Sequence, residues 1–328
     1  MKATEMIYIP LLLLLTYLIY FLRIAPSFYI SIFFLAAGCF ILIKGSDFFV
    51  ESAVGIASKL GVSEHTIGLT IVAFGTSLPE LAISGIASYQ SHTETAWGNV
   101  IGSNVTNVLL ILGIAMIITA IKPSKFALKD SLSMLAVSFI TIFLALDGIL
   151  QIYDGVILIS LYIIFVYLLK GRGTEGEKRK PSLPPILAVI FFILGVFGVA
   201  IGADAVVNGA VNIAAYLGVK EVAIAASIVA FGTSLPELST TAIAAIKKHH
   251  GIAVGNVIGS NVMNLGLVLG FAAILNKIPI NLASPAIIFF ILVTLITPFI
   301  LKEKWIGKKT GIAFICLYVI FLLSLYWM

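Results

Sequence analysis

Eleven long runs of apolar residues dominate this chain, and they decide what it can fold into. A helix of roughly 20 apolar residues spans the hydrocarbon core of a bilayer, whereas a membrane β-barrel would show alternating polarity over segments of about ten residues. Only 11% of the residues are charged, against about 25% in soluble domains. The sequence therefore predicts an all-α, polytopic membrane protein. The runs are Met6–Leu22, Phe28–Val50, Thr66–Ser88, Gly98–Ile121, Leu132–Leu146, Val156–Leu169, Ile186–Val207, Val222–Ile246, Val254–Leu275, Ala286–Leu301 and Gly311–Tyr326.

Two blocks of sequence occur twice, at the same offset of 157 residues. IVAFGTSLPEL spans Ile71–Leu81 and Ile228–Leu238, and GNVIGSNV spans Gly98–Val105 and Gly255–Val262. Two matching blocks in one register indicate an internal duplication. The predicted order is an N-terminal apolar anchor or signal segment at 1–25, a five-helix repeat at 26–170, a linker at 171–183 and a second five-helix repeat at 184–328.

The basic residues predict how these repeats sit in the membrane. If the Lys170–Ser182 loop is cytoplasmic, alternating the helices outward from it places most lysines and arginines on the cytoplasmic side. This loop bias explains the net charge of +5 without any nucleic-acid partner. Because five is an odd number of helices, the second repeat must cross the membrane upside down. Ten transmembrane helices in two inverted repeats are typical of secondary transporters, with the site at the repeat interface.

Carboxylates inside the apolar runs are the leading functional candidates, because a charge within a membrane is costly. Glu80 lies in the first copy of the repeated block, and helical spacing places Thr76 and Ser77 on the same face. Each half of the predicted site is thus a carboxylate flanked by hydroxyl groups. The matching residues of the second copy are Thr233, Ser234 and Glu237.

A proline in each block adds backbone oxygens to this set. Pro79 and Pro236 have no N–H to donate to Gly75 and Gly232, so each helix must break or kink. Irregular backbone persists inside a membrane where it lines a cavity or is buried in protein. We therefore expect freed carbonyls to face an ion, including those one turn earlier, at Ala73 and Ala230.

A polar stripe follows each block, with side chains spaced four residues apart on one helical face. Helix-to-helix hydrogen bonding and cavity lining both remain open as explanations. The donor set contains oxygen without histidine or cysteine, which favours a hard cation such as Ca²⁺ or Na⁺ over a transition metal. The two stripes are Asn99, Ser103 and Asn107, and Asn256, Ser260 and Asn264.

Other polar residues in the runs have more than one interpretation. Asp47 and Asp204 could line an ion path, or anchor the neighbouring helices, or act together as an intramembrane aspartyl protease. Glu51 has no acidic counterpart in the second repeat, which favours a structural role. The pair His249–His250, beside two lysines, is predicted to be a solvated loop.

The repeated motifs carry a family resemblance. GTSLPE at Gly75–Glu80 and Gly232–Glu237, each followed by GNxxGSNxxN, resembles the two α-repeats of the cation/calcium antiporter superfamily. The chain is most similar to its prokaryotic sodium/calcium exchangers. The resemblance implies one calcium site and several sodium sites between the repeats, with Glu80 and Glu237 as shared central ligands. The remaining ligands that it implies are Thr76, Ser77, Thr233, Ser234, Ala73, Ala230, Ser103, Asn107 and Ser260.

Asn264 departs from the family pattern, because several members, especially potassium-dependent ones, have aspartate there. With asparagine at both Asn107 and Asn264, the central charge stays at −2, which disfavours potassium co-transport. The resemblance thus implies electrogenic, potassium-independent antiport of Na⁺ against Ca²⁺ by alternating access. Proton-coupled calcium exchange is the alternative, although such exchangers usually carry GNAxE-type motifs.

The remaining expectations concern partners and location. The protein is expected to be a transporter rather than an enzyme, with Ca²⁺ and Na⁺ as transported ions and no cofactor. It is expected to lie in the cell membrane, in contact with lipid. The sequence leaves the oligomeric state open, and it is compatible with a monomer.

Overall fold

The structure is a computed structural model that describes residues 8–22, 27–170, 172, 184–218 and 230–326. The described residues are mostly helical, which confirms the predicted helical membrane class. Most of the linker predicted at 171–183 and part of the run Val222–Ile246 lie outside the described residues. The helices are α1 (Tyr8–Leu22), α2 (Phe28–Leu60), α3 (Glu64–Thr76), α4 (Leu78–Tyr89), α5 (Thr93–Ile118), α6 (Ala127–Leu144), α7 (Ile152–Leu168), α8 (Pro185–Tyr216), α9 (Leu235–Ile246), α10 (His250–Leu275), α11 (Pro285–Leu301) and α12 (Lys308–Tyr326), with a short helical segment at Ala230–Gly232.

Six of these helices are long and apolar enough to cross a membrane. They are α2, α5, α6, α8, α10 and α12, and the bent pair α3–α4 makes a seventh crossing if it counts as one span. The other apolar helices in the described part of the chain are shorter, at 10–17 residues. The predicted total of ten crossings therefore stays a prediction.

The break predicted at the first proline is present. The chain bends by 47° between α3 and α4, at Ser77, whose φ of −90° and ψ of 11° interrupt the helix. Pro79 then lies in the first turn of α4, where its missing N–H costs nothing. The second repeat has the same arrangement, since α9 begins after Ser234 with Pro236 in its first turn.

Helix α10, in the second predicted repeat, packs closely against α3, the helix that precedes the break at Ser77. Gly259 makes this possible, because a Cβ there would lie 2.7 Å from Leu69 Cα and 2.8 Å from Ala73 Cβ. Leu69 lies in a π-helical stretch of α3, Gly68–Val72. Single π-turns inside α-helices occur frequently at functional sites. Small residues let two membrane helices approach to backbone contact, so the Gly259 contact brings the polar face of α10 to the break.

Two short pairings join connectors at the ends of the helices. Ile121 and Ile306 exchange backbone hydrogen bonds of 2.8 and 2.9 Å. Strand β1 (Ile149–Leu150) pairs antiparallel with β2 (Ile278–Pro279). The two strands are a minor departure from an all-α chain. Each of the two pairings links a connector of the first predicted repeat to a connector of the second.

Candidate ion-binding site at the repeat interface

The two glutamates predicted to form the centre of the site lie together. Glu80 at the start of α4 is 1% exposed, and Glu237 at the start of α9 is 0% exposed. Their charges interact electrostatically. Ser77 Oγ donates a hydrogen bond of 2.9 Å to Glu237 Oε1, so the helix break of the first repeat touches the carboxylate of the second.

Thr76 connects the same break to the polar stripe of α10. Its hydroxyl oxygen lies 3.1 Å from Asn256 Oδ1, 3.3 Å from the carbonyl oxygen of Ala73 and 3.5 Å from Ser260 Oγ, and the first two oxygens share its one proton. The Ala73 carbonyl also accepts the Ser77 N–H at 3.0 Å. The break therefore does not leave the Ala73 oxygen free of hydrogen bonds, unlike the sequence-based expectation.

Several oxygen atoms in this region are buried without a hydrogen-bond partner among the described residues. They include Glu80 Oε2, Glu237 Oε2, Ser234 Oγ and Asn107 Oδ1. An unsatisfied buried polar group costs about 1–3 kcal/mol, and more when it is charged. A bound hard cation would satisfy such oxygens at once, because Ca²⁺ takes six to eight of them. The donor chemistry thus fits Ca²⁺ and Na⁺ as transported substrates.

The predicted stripes are largely buried. Ser103 and Asn107 on α5 and Ser260 and Asn264 on α10 are all shielded from solvent, and neither side-chain polar atom of Asn264 has a partner within the described ranges. Thr233 is half-buried. Ala230 lies in the short helical segment, and its side chain is outside the described features.

Two matched hydrogen bonds support the stripes, one in each repeat, and sequence reasoning missed their partners. Asn99 Nδ2 donates to Ser84 Oγ at 2.9 Å, and its counterpart Asn256 Nδ2 donates to Thr241 Oγ1 at 3.0 Å. Ser84 and Thr241 are themselves related by the offset of 157. A search of the repeat for paired hydroxyls outside the identical blocks could have found them.

Three charged residues meet away from the glutamate pair. Lys247, just after α9, forms ion pairs with Asp47 and with Glu51 at 2.8 Å, both on α2. This favours the anchoring interpretation of Asp47 and the structural one of Glu51. Asp204 Oδ1 instead accepts from Asn208 Nδ2 at 3.0 Å. Asp47 and Asp204 thus have separate partners, which argues against a protease dyad.

The prediction of a solvated loop at His249–His250 is wrong, because His250 begins helix α10 and His249 is buried. This residue is 5% exposed, and its Nδ1 lies 3.1 Å from Glu64 Oε1. Helix α10 starts at His250, because the turn after α9 folds tightly against the start of α3. Lys247, two residues before His249, also holds this turn in place by its ion pairs with α2.

Replacing Lys247 with methionine is expected to destabilise the protein by about 1–3 kcal/mol, because two partly buried carboxylates lose their counter-charge. A lower unfolding temperature in detergent would show this. The triple variant K247M/D47N/E51Q is expected to recover most of the loss, and an equal loss in both variants would contradict the ion-pair interpretation.

The pH range of this stabilisation follows from the lysine. Burial lowers the pKa of Lys247, but its hydrogen bonds and attraction to Asp47 and Glu51 outweigh this effect, so its pKa is raised overall. A raised pKa means that the stabilisation is complete below the unfolded-state value of about 10.4. On the alkaline side, it is lost as the pH rises through the folded-state pKa.

Comparison with known proteins decides the family. The family model described as sodium/calcium exchanger protein matches residues 30–171 and 187–327. The chain belongs to the sodium/calcium exchanger family. It is therefore a membrane transporter and not an enzyme, which excludes the protease alternative.

Individual relatives agree with this assignment. The membrane protein MJ0091 of Methanocaldococcus jannaschii is 36% identical, over 88% of this chain and 95% of its own length. The sodium/calcium exchanger MaX1 of Methanosarcina acetivorans is 33% identical, over 91% of this chain and 99% of its own. A solved structure of the sodium-calcium exchanger NCX_Mj matches with a TM-score of 0.82 and 34% identity, covering 90% of this chain and 98% of that one.

Proposed function

We propose that this exchanger moves Na⁺ against Ca²⁺ by alternating access, through a site centred on Glu80 and Glu237. The observation that carries the proposal is the buried glutamate pair at the contact between the repeats, with carboxylate, hydroxyl and amide oxygens lacking partners among the described residues. Both ions compete for the same two carboxylates. Only a site whose charge is balanced by bound cations can be reoriented in the membrane without a large desolvation penalty.

The site that we propose extends over both repeats. The central ligands are Glu80 and Glu237, and no basic side chain belongs to the set. The structural similarity to NCX_Mj supports a common arrangement of the helices that carry these ligands. The other proposed ligands are Thr76, Ser77, Thr233, Ser234, Ser103, Asn107, Ser260 and Asn264, with the carbonyls of Ala73 and Ala230.

We infer that the architecture is ten helices in two inverted repeats. The offset of 157 carries Ile121 to Ile278 and Ile149 to Ile306, so the Ile121–Ile306 bridge and the β1–β2 pairing are counterparts. If all ten helices cross, the first pairing lies on one side of the membrane and the second on the other. That is the relation that an inverted duplication requires, and the two matched family segments support it.

Sodium, rather than potassium or protons, is the proposed coupling ion. Asn264 keeps the number of central carboxylates at two, so no third charge is present to balance a potassium ion. Exchange of three Na⁺ for one Ca²⁺ would move one net charge per cycle, worth roughly 2.3 kcal/mol per 100 mV. With the Lys170–Ser182 loop cytoplasmic, this gives an electrogenic exchanger of the cell membrane.

Flux measurements in proteoliposomes test this proposal. An outward Na⁺ gradient is expected to drive uptake of radiolabelled Ca²⁺ without K⁺, and an inside-positive potential is expected to accelerate it. A pH gradient without Na⁺ is expected to drive none. Uptake that follows the pH gradient and ignores Na⁺ would show proton coupling instead.

A further inference from the structure

A chain of two hydrogen bonds links the buried asparagines of α5 and α10. Asn107 Nδ2 donates to Asn261 Oδ1 at 3.0 Å, and Asn261 Nδ2 donates to the backbone carbonyl oxygen of Asn104 at 3.2 Å. All three residues are buried. These two hydrogen bonds thus connect the two predicted repeats within the polar core.

The backbone end of this chain fixes the direction of both side-chain amides. A carbonyl oxygen only accepts hydrogen bonds, so Asn261 must turn its NH₂ group towards Asn104. Its Oδ1 then faces Asn107, which must in turn offer its own NH₂ group. Asn107 Oδ1 is left pointing away from this contact, buried and without a partner among the described residues.

The repeat-related pair of hydrogen bonds is not formed, although both asparagines are present in both repeats. Asn104 is the counterpart of Asn261, but its Nδ2 donates to the carbonyl of Val100 on its own helix at 2.7 Å. Asn264, the counterpart of Asn107, is consequently not held by it. Both polar side-chain atoms of Asn264 lack a partner within the described part of the chain.

We propose that Asn261 is a positioning residue that holds Asn107 with its Oδ1 towards the transported cation. This inference rests on the proposed function, in which Asn107 is an ion ligand. A cation needs the amide oxygen, whereas the reversed amide would present two N–H groups that repel it. Groups that orient a metal ligand in this way commonly change affinity by 10–100-fold. The two repeat-related asparagines are therefore unequal, one oriented in advance and one not.

Calcium binding to the purified full-length protein, measured by isothermal titration calorimetry, tests this assignment. Asn261→Ala is expected to weaken Ca²⁺ binding by about tenfold, the lower end of the range for orienting groups. Asn104→Ala is the matched control, because among the described residues its side chain donates only to Val100 on its own helix. The control keeps the backbone carbonyl that Asn261 contacts, so it is expected to stay within about twofold of the wild type, the usual error of additivity for an uninvolved side chain.

A double-mutant cycle separates positioning from general packing. If Asn261 acts through Asn107, then N261A has no further effect in an N107A background, whereas a packing role would add. N107D is expected to restore binding to N261A, because a carboxylate presents oxygen in either orientation. If N261A folds poorly, the similarly sized Asn261→Leu replaces it throughout.

The outcomes distinguish the inference from the function on which it rests. Wild-type affinity in N261A, additive losses in the cycle, or failure of N107D to rescue would overturn the positioning role while leaving exchange intact. A wild-type protein that shows no Na⁺-driven Ca²⁺ exchange would overturn the proposed function itself.

Discussion

Replacing Glu237 with glutamine is expected to abolish Na⁺-driven Ca²⁺ uptake into proteoliposomes. Ser77 Oγ donates to Glu237 Oε1, so the amide oxygen of glutamine would take that position and keep this hydrogen bond. The NH₂ group would then replace Oε2, the oxygen without a partner among the described residues, and would present N–H donors to a cation. Removing the carboxylate from a buried carboxylate–cation pair costs about 3–5 kcal/mol. A loss of that size weakens cation binding by more than about a hundredfold.

Glu80→Gln is expected to have the same effect, since both carboxylates are central ligands of the proposed site. Glu94→Gln is the matched control, because this glutamate lies exposed in the first turn of α5 and loses the same charge outside the site. Wild-type uptake in either site variant, at equal protein in the vesicles, would remove that glutamate from the ion site.

The local rules of the sequence predicted the parts of the fold that depend on neighbouring residues. Proline lacks a backbone N–H whatever its helix packs against, so the break before Pro79 could be predicted from the sequence alone. The proximity of the two glutamates was expected from the duplication, because inverted repeats place matching helices at a shared interface. Both predictions therefore needed only the sequence of one repeat and the presence of its copy.

The hydrogen bonds between repeats could not be predicted in this way. The segments of Ser77 and Ser234 are identical in sequence, yet only Ser77 bonds across to a glutamate, and Ser234 Oγ has no partner in the described ranges. Identical sequences cannot encode a difference between the two copies; the difference arises from packing in one conformation. The burial of His249 has a similar origin, because it depends on Glu64, which is 185 residues away.

Replacing Gly259 with alanine is expected to abolish exchange while leaving the protein inserted in the membrane. Alanine usually stabilises a helix interior over glycine by about 1 kcal/mol, so the effect on the isolated helix would be favourable. The added Cβ would, however, lie 2.7 Å from Leu69 Cα, and backbone cannot rotate away as a side chain does. Overpacking of this kind costs about 1–3 kcal/mol or more, and it forces α10 away from α3.

That displacement acts directly on the candidate site. Thr76 reaches Asn256 and Ser260 across the same helix contact at 3.1 and 3.5 Å. Even a small separation therefore breaks the longer contact, weakens the shorter one and moves apart the oxygens of the proposed site. Gly55→Ala is the matched control, because this glycine is also in a membrane-type helix and its Cβ would meet only Ala188 Cβ among the described residues, at 3.8 Å. We expect normal Ca²⁺ binding and flux in G55A and loss of both in G259A. Normal flux in G259A would mean that close contact between α10 and α3 is not required for the site.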